Sequence, residues 1–240
     1  MSGKTKIEWT ECSWNPITGC SKISDGCKNC YAERLSKRLV AMKNPRYING
    51  FDVTIHSDLI EAPKKWKTPR KIFVNSMSDL FHEKVPEQTI LDIFETMNDC
   101  PQHQFQILTK RPERLKELNP KINWTSNIWM GVTVESHKYL DRINYLRDSN
   151  AKIKFVSAEP LLDDLIGLDL LGIDWIIVGG ESGPGARKME KQWVDNIKTV
   201  ARQNKTAFFF KQWGGFHHSQ NGSELDGVQY KEYPVVRQTI

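Results

Sequence analysis

The chain has 240 residues, of which 26% are charged and 39% hydrophobic, and its formal net charge is +5. This length and composition fit one large α/β domain and exclude a peptide, a mini-domain and a wholly disordered chain. No apolar run in the sequence approaches the roughly 18 residues of a membrane span, and the first residues lack the apolar core of a secretion signal. We therefore expect a cytoplasmic protein without membrane contact, whose modest basic excess permits an anionic partner.

Short apolar runs alternate with helix-like segments along the chain. An early strand is predicted near residues 10–18, and six later strands are predicted at 71–75, 104–109, 127–132, 152–157, 174–179 and 206–211. Helices are predicted at 31–42, 86–98, 136–147 and 191–202. Most of the strands are near-continuously apolar, as buried parallel strands are. The pattern predicts an α/β fold, a partial or full parallel (β/α) barrel, over residues 1–215, followed by a C-terminal extension over 216–240.

Five cysteines are present, and three of them, Cys20, Cys27 and Cys30, are spaced C-x6-C-x2-C. An odd count in an expected cytosolic chain argues against a disulfide framework and favours a metal site. Three thiolates on a [4Fe-4S] cluster leave one iron open to a small molecule that chelates through amino and carboxylate groups. The spacing favours this cluster over a structural zinc site completed by Cys12 or a histidine, which stays open as an alternative.

Polar groups follow six consecutive predicted strands. They include Lys110, Glu135, Glu159, Glu181 with the preceding Gly179-Gly180 turn, and Lys211. Because the carboxyl ends of parallel strands meet on one face of a barrel, we expect these groups to surround one site. A metal-free enzyme that uses Glu159 and Glu181 as acid and base remains a third interpretation.

Two segments, 63–71 and 110–116, are rich in Lys and Arg. Such segments bind phosphate backbones, although an ordinary solvated face has the same composition. Only the second segment follows a predicted strand, so Lys110 and Arg111 are the better phosphate-binding candidates.

The stretches WTECSWNPITGCSKISDGCKNCYAERL, FVNSMSDLFHE, ILTKRPERL, IWMGVTVES, FVSAEPLL, DWIIVGGESGPGARKM and FFFKQWGG occur in this order. Together they resemble the phage-associated three-cysteine-motif family, a radical-SAM-like group of largely undefined function, over residues 7–215. The first cysteine gap is six residues, longer than in the commonest radical-SAM pattern, C-x3-C-x2-C. The resemblance implies a partial barrel of the radical-SAM type with a [4Fe-4S] cluster on Cys20, Cys27 and Cys30.

The resemblance also implies the activity. S-adenosyl-L-methionine would chelate the open iron, and one electron from a donor such as flavodoxin or ferredoxin would yield a 5′-deoxyadenosyl radical that abstracts hydrogen from the substrate. We expect a nucleic-acid base or nucleotide as substrate, undergoing repair or modification. The alternative from another class is a zinc-stabilised nucleic-acid-binding protein without catalysis.

By the same resemblance, individual residues receive roles. The expected catalytic residues are Glu159, Glu181 and Lys211. The expected cofactor-binding residues are Tyr31, near the adenine, together with Asn75, Ser76, Ser78, Lys110, Glu135, Gly179 and Gly180. The glycine-rich turn that relatives carry after the second strand is absent at 75–78.

Overall fold

The computed structural model describes residues 3–5, 7–217 and 220–235. Within these residues it has ten strands: β1 Gly3–Lys4, β2 Cys12–Trp14, β3 Ile17–Thr18, β4 Thr54–Ile55, β5 Lys71–Val74, β6 Gln104–Thr109, β7 Ile128–Thr133, β8 Ile153–Ala158, β9 Trp175–Gly179 and β10 Ala207–Gln212. The α-helices of the same residues are α1 Tyr31–Ala41, α2 Ser57–Ile60, α3 Glu87–Asn98, α4 Pro112–Leu118, α5 Arg142–Arg147 and α6 Lys191–Asn204. No helix in this part of the chain has the length and apolarity needed to cross a membrane.

Eight of the strands form one sheet in the order β1-β2-β5-β6-β7-β8-β9-β10, and β3 pairs with β4 in a separate antiparallel ribbon. The seven strands β2, β5, β6, β7, β8, β9 and β10 run parallel, while β1 is antiparallel to β2. This arrangement confirms the predicted parallel α/β fold. The six later predicted strands match β5 to β10 to within one residue at either end.

The chain forms two compact units, and the first comprises residues 1–130 and 148–152. Its buried strands pair in register, with Ile72 of β5 beside Phe105 of β6 and Val74 beside Ile107. These side chains are almost fully buried, as is the inner face of α3. The amphipathic spacing of α3 thus places one helix face on the core.

The second unit comprises residues 131–147 and 153–240. Phe155 of β8 lies in register with Trp175 of β9, and Trp175 with Ala207 of β10. After β10 the chain returns along this strand. Phe210 donates its backbone N–H to Tyr230 O at 2.8 Å, and residue 209 bridges residue 231. The described part of the predicted C-terminal extension therefore covers the edge of β10, which protects it from pairing with other chains. Residues 218–219 and 236–240 of that extension lie outside the described residues.

Two predicted elements differ from the structure, and helix α4 was not predicted. The early strand near 10–18 is divided into β2 and β3, because Pro16 interrupts the ladder and has no N–H to donate. The helix predicted at 136–147 is shorter: α5 begins at Arg142, and a 3₁₀ turn, His137–Tyr139, precedes it. Residues of the second basic segment form α4, with Pro112 in its first turn, where the missing N–H is not needed.

Candidate functional site

The three clustered cysteines lie on one loop, residues 19–30, that follows β3. Gly19 opens this loop at φ +84°, and a Cβ there would lie 2.1 Å from the backbone oxygen of Asp52. The close approach therefore requires glycine. Cys20 then donates its backbone N–H to Phe51 O at 3.1 Å. All five cysteines of the chain are free thiols, and the three loop cysteines are partly exposed.

The other two cysteines are buried elsewhere in the first unit. Cys12 lies within β2, where its Sγ donates to Lys71 O at 3.8 Å. Cys100 lies just after α3 and is 1% exposed. Both thiols therefore belong to the packed interior rather than to the cysteine loop.

A buried arginine ties the cysteine loop to the end of β6. Arg111 is 8% exposed, and its Nη2 donates to Ser21 Oγ at 2.9 Å and to Ser21 O at 3.2 Å. Its Nη1 lies 3.6 Å from Cys20 Sγ, and its Nε donates to Glu83 Oε2 at 3.0 Å. The guanidinium is occupied by these partners, so it is placed to hold the loop rather than to meet a phosphate backbone.

Asp79, after β5, anchors that arginine. Its carboxylate accepts from Arg111 Nη1 at 3.1 Å, from Thr109 Oγ1 at 2.7 Å and from the Lys110 N–H at 3.0 Å. Asp79 is also buried. A buried ion pair needs this kind of extra hydrogen bonding to offset its desolvation cost. The carboxyl ends of β5 and β6 are thereby fixed to each other.

His82 completes the network beneath the loop. Its Nδ1 accepts from the Lys84 N–H at 3.1 Å, so the neutral ring carries its proton on Nε2 and donates to Ser21 Oγ at 2.8 Å. Burial lowers the pKa of His82, and the nearby Arg111 lowers it further. The ring is therefore neutral at pH 7.

The loop thiols differ electrostatically. Burial raises the pKa of Cys20 to about 11, and the Asp79 carboxylate adds to the rise. Burial also opposes ionisation of Cys27, but the Lys110 charge and hydrogen bonds from Ile23 and Ser24 outweigh it and lower the pKa of that thiol. The Cys27 thiol therefore ionises more easily than the Cys20 thiol.

The donor set fits an iron–sulfur cluster. Such clusters are held by cysteine thiolates, and the loop offers three free thiols. Among the described residues, no three His, Cys, Asp or Glu side chains converge as they would around a single ion. A cluster accepts sulfurs that are further apart than the ligands of one ion, because its own atoms lie between them. Three thiolates match a cluster with one open iron, whereas a structural zinc ion needs a fourth protein ligand.

Asn75, directly after β5, lies in the left-handed region at φ +58° and is 3% exposed. Its Oδ1 accepts from the Ile17 N–H at 3.3 Å. Its Nδ2 is buried and has no hydrogen-bond partner among the described residues. An unmade buried hydrogen bond of this kind costs free energy, so Nδ2 is a donor with capacity for a ligand.

The other predicted residues of this strand end hold the backbone together. Ser76 Oγ donates to Asn15 Oδ1 at 3.1 Å, and Ser78 Oγ donates to Ile17 O at 3.0 Å. Tyr31, the first residue of α1, donates its hydroxyl to Ser76 O. The structure therefore brings Tyr31 to the end of β5.

In the second unit, Glu159 and Lys211 form an ion pair between the carboxyl ends of β8 and β10. Lys211 Nζ lies 2.8 Å from Glu159 Oε1, and Ser157 Oγ donates to Glu159 Oε2 at 3.2 Å. Gly179, at the end of β9, makes room for this pair, since a Cβ there would lie 2.8 Å from Glu159 Oε1. Three of the predicted residues thus meet at one place.

Glu181 has its own cation. Arg187 donates to Glu181 Oε2 from its backbone N at 3.0 Å and from Nε at 2.9 Å, and its Nη2 bonds Oε1. The neighbouring Gly180 lies against β10's continuation, where a Cβ would come within 2.0 Å of Trp213 O. The glycine pair is therefore explained by close packing of backbone and carboxylate.

Glu135, two residues after β7, is fully buried against Arg142 of α5, at 2.9 Å. Arg142 also donates to Thr133 O at 2.8 Å and stacks over Tyr139, 4.1 Å from its ring centroid. The carboxylate therefore fixes the segment between β7 and α5.

Sequence reasoning missed several partners: Glu83, Arg142 and Arg187, and the roles of Ser21 and His82 in the loop network. Glu83, Ser21 and His82 lie far from their partners in sequence, so a residue pattern gives no signal for them. Arg142 and Arg187 lie seven and six residues after their acids, but across irregular connections that no regular spacing predicts. The one available signal was that buried acids need cations, which predicts a partner without identifying it.

A family model described as "Protein of unknown function (DUF5131)" matches residues 4–234. Among curated protein sequences, none matches this chain. The chain is similar to a solved structure of spore photoproduct lyase complexed with dinucleoside spore photoproduct, with a TM-score of 0.51, 12% identity and coverage of 85% of this chain and 63% of that one. A variant of that lyase with bound AdoMet and dinucleoside spore photoproduct gives the same TM-score, identity and coverage. Another variant gives a TM-score of 0.52 at 13% identity, with 86% and 64% covered.

The chain thus spans somewhat less than two thirds of the lyase chains to which it is similar, 63% of the first. At this identity the likeness is one of fold. It confirms the predicted fold class, a partial parallel (β/α) barrel of the radical-SAM type.

Proposed function

This chain belongs to the DUF5131 family, and we propose that it is a radical S-adenosylmethionine enzyme that acts on a nucleic-acid base or nucleotide. The observation that carries the proposal is the loop of three free, partly exposed thiols, Cys20, Cys27 and Cys30. These thiolates would hold a [4Fe-4S] cluster, which, with S-adenosylmethionine and one electron from a donor protein, would supply radical chemistry that abstracts a hydrogen atom from the substrate.

The chain's own residues prepare the thiols. The Lys110 charge favours the Cys27 thiolate, which is the form that binds iron. Arg111 and Ser21 hold Cys20 in place from the end of β6. Because these contacts come from a buried network, the loop is oriented before the metal arrives, and less ordering entropy is lost on binding.

Cofactor contacts are assigned to the end of β5 and to α1. Asn75 Nδ2 offers a buried donor with no partner in the described structure, and a carbonyl or carboxylate oxygen of the cofactor would satisfy it. Tyr31, half exposed beside it, offers a ring face for adenine. Ser76, Ser78, Glu135, Gly179 and Gly180 stay proposed as cofactor-site residues that act through their backbone or through the segments they fix.

The Glu159–Lys211 pair is proposed to position the substrate. Lys211 Nζ donates to Glu159 Oε1, and an anionic group of the substrate would compete for the same proton. Glu181, just after β9, holds Arg187 through an ion pair. Both carboxylates are paired with cations, which favours the cluster over a metal-free mechanism with Glu159 and Glu181 as acid and base.

The nucleic-acid substrate rests on two supports. A lyase of the same fold was solved with a dinucleoside photoproduct, and the sequence resembles a family associated with phages. The proposal includes a one-electron donor such as flavodoxin or ferredoxin.

The test is anaerobic reconstitution with iron and sulfide, followed by reduction in the presence of S-adenosylmethionine. We expect a brown protein that forms 5′-deoxyadenosine. Cys20→Ala, Cys27→Ala and Cys30→Ala should each lose the cluster, while the matched control Cys12→Ala retains iron. A colourless protein that binds one zinc, or retention of iron in Cys20→Ala with loss in Cys12→Ala, contradicts the proposal.

A further inference from the structure

Exposed apolar side chains concentrate in the segment that runs from the cysteine loop through α1. Eleven large hydrophobic side chains of the described residues are exposed, and six of them lie between residues 23 and 48: Ile23, Tyr31, Leu35, Val40, Met42 and Ile48. Isolated exposed hydrophobics are common, but a concentration of this kind marks an interaction surface.

Helix α1 arranges part of this set as a stripe. Tyr31, Leu35, Arg38 and Met42 follow the three- and four-residue spacing of one helix face, and all four are exposed. The opposite face is buried through Ala32 and Ser36, and Ala32 packs with Tyr47 and Met77. Because Tyr31 directly follows Cys30 and Ile23 lies within the cysteine loop, the stripe begins at the thiols.

The chain's positive charge is concentrated in the same place. Residues 22–46 contain seven Lys or Arg and two Asp or Glu, a net charge of +5. The other 215 residues contain 27 of each sign and are neutral. The formal net charge of the chain therefore falls in the segment that carries the exposed apolar stripe, and of its basic residues Arg46 is paired with Asp58 outside the segment. We name these features together the α1 surface: the exposed residues of 22–48 other than Tyr31, which is assigned to the cofactor.

We propose that the α1 surface is the docking site of an acidic one-electron carrier protein, flavodoxin or ferredoxin in kind. This inference rests on the proposed function, since it supplies electrons to the thiol-bound cluster. Complementary charge steers association, and an apolar centre within a polar rim is the composition of protein–protein interfaces. Electron transfer weakens steeply with distance, so a donor has to dock beside the cysteine loop.

The residue types favour a protein over a nucleic acid. Leu, Ile, Val and Met side chains neither stack on bases nor bond to phosphates, and interfaces with nucleic acids are more polar than protein–protein interfaces. The basic segment of residues 63–71 lacks such a stripe. Within it Pro63 is buried, and Trp66 is partly buried with its ring centroid 5.2 Å from Arg70 Cζ. It therefore provides a charge-matched control.

The experiment measures reduction of the reconstituted cluster by reduced flavodoxin in a stopped-flow instrument at several salt concentrations. The double variant Lys37→Glu/Arg38→Glu reverses two exposed charges of the α1 surface, and Lys65→Glu/Lys67→Glu reverses two exposed charges of the control segment. At low salt we expect the rate of cluster reduction by flavodoxin to fall about tenfold in the first variant and to lose most of its salt dependence. In the control variant the rate should stay within about twofold of wild type. Reduction by dithionite should be alike in all three proteins.

Leu35→Ser tests the apolar part, because it removes the apolar side chain without changing the charge of the surface. It should weaken flavodoxin binding at every salt concentration, because the loss is not one of charge steering. Equal flavodoxin rates in wild type and Lys37→Glu/Arg38→Glu overturn the proposal. So does a variant that loses oligonucleotide binding while keeping its flavodoxin rate, which would make the surface a nucleic-acid interface.

Failure of the proposed function gives a different result. In that case no cluster assembles and dithionite reduces nothing, whereas titration of flavodoxin into the metal-free chain still measures docking. Binding that depends on Lys37 and Arg38 in the metal-free chain supports the surface, and its absence contradicts it.

Discussion

Arg111 Nη1 and Cys20 Sγ lie 3.6 Å apart, although 91 residues separate them in sequence. The contact joins the cysteine loop to the end of β6, and Asp79 holds the arginine from the end of β5. Three segments of chain thereby meet at one buried guanidinium. The planar fork of arginine suits this role, since it can serve several acceptors in fixed directions.

We expect Arg111→Lys to lower the free energy of unfolding by about 2 kcal/mol, because an ammonium group cannot replace the forked contacts to Asp79, Glu83 and Ser21. Iron uptake should fall as the loop loses its anchor. Arg114→Lys, in the helix α4 that Arg111 precedes, is the control and should change both quantities much less. Denaturant melts and iron analysis check the prediction, and equal behaviour of the two variants contradicts it.

In the metal-free protein, we expect Cys27 to react with iodoacetamide before Cys20. The pKa of the Cys27 thiol is lowered with the help of the Lys110 charge, whereas burial raises that of Cys20 to about 11. Near pH 8 the thiolate, which is the nucleophile, is therefore more populated at Cys27. Peptide mass spectrometry over time gives the order. Lys110→Gln should slow alkylation of Cys27 and leave Cys20 nearly unchanged, and the reverse order of labelling would refute the assignment.

Gly180→Ala should destabilise the second unit by about 3 kcal/mol, since overpacking forces backbone to move. Its Cβ would lie 2.0 Å from Trp213 O, a backbone atom that no side-chain rotation relieves. Gly185→Asn is the control, because nothing lies within 4 Å of a Cβ there and Asn tolerates its φ of +75°. Thermal melts of both variants decide the matter, and similar Tm values would show that β9 and β10 separate more easily than the structure implies.

Stability should fall as the pH drops below neutrality. Burial lowers the pKa of His56, His82 and His103 from the ordinary value of 6.5. Above pH 6.5 these rings are neutral in both the folded and the unfolded protein, so they contribute nothing to the pH dependence of stability. Below pH 6.5 the histidines of the unfolded chain become protonated while those of the folded chain stay neutral. Protonation therefore favours unfolding. The Tm should decrease from pH 7.5 to 5.5.

His103→Phe should make the fall of Tm with pH shallower, because only two histidines with lowered pKa then remain. The ring position between Trp66 and Phe105 stays aromatic in this variant. A Tm that is flat between pH 7.5 and 5.5 in the wild-type protein would contradict the assignment of neutral buried rings.

The sequence by itself determined the order of the strands and the place of the thiols. Runs such as 128–132 and 175–179 are apolar throughout, as strands buried on both faces of a parallel sheet are. Helix α3 was predictable from its apolar spacing and its preceding proline. The cysteine triplet was visible because its spacing is local, within eleven residues, and local spacing survives in the sequence.

Only the tertiary structure decided the partners of the polar residues. Glu135, Glu159 and Glu181 looked alike as acids at strand ends, yet they pair with Arg142, Lys211 and Arg187 respectively. Arg111 was expected to meet phosphate and is instead buried against Asp79 and the cysteine loop. The physical reason is that hydrophobic burial follows a short period that one chain segment records, whereas an ion pair joins whichever charges the packed backbone brings within a few ångströms.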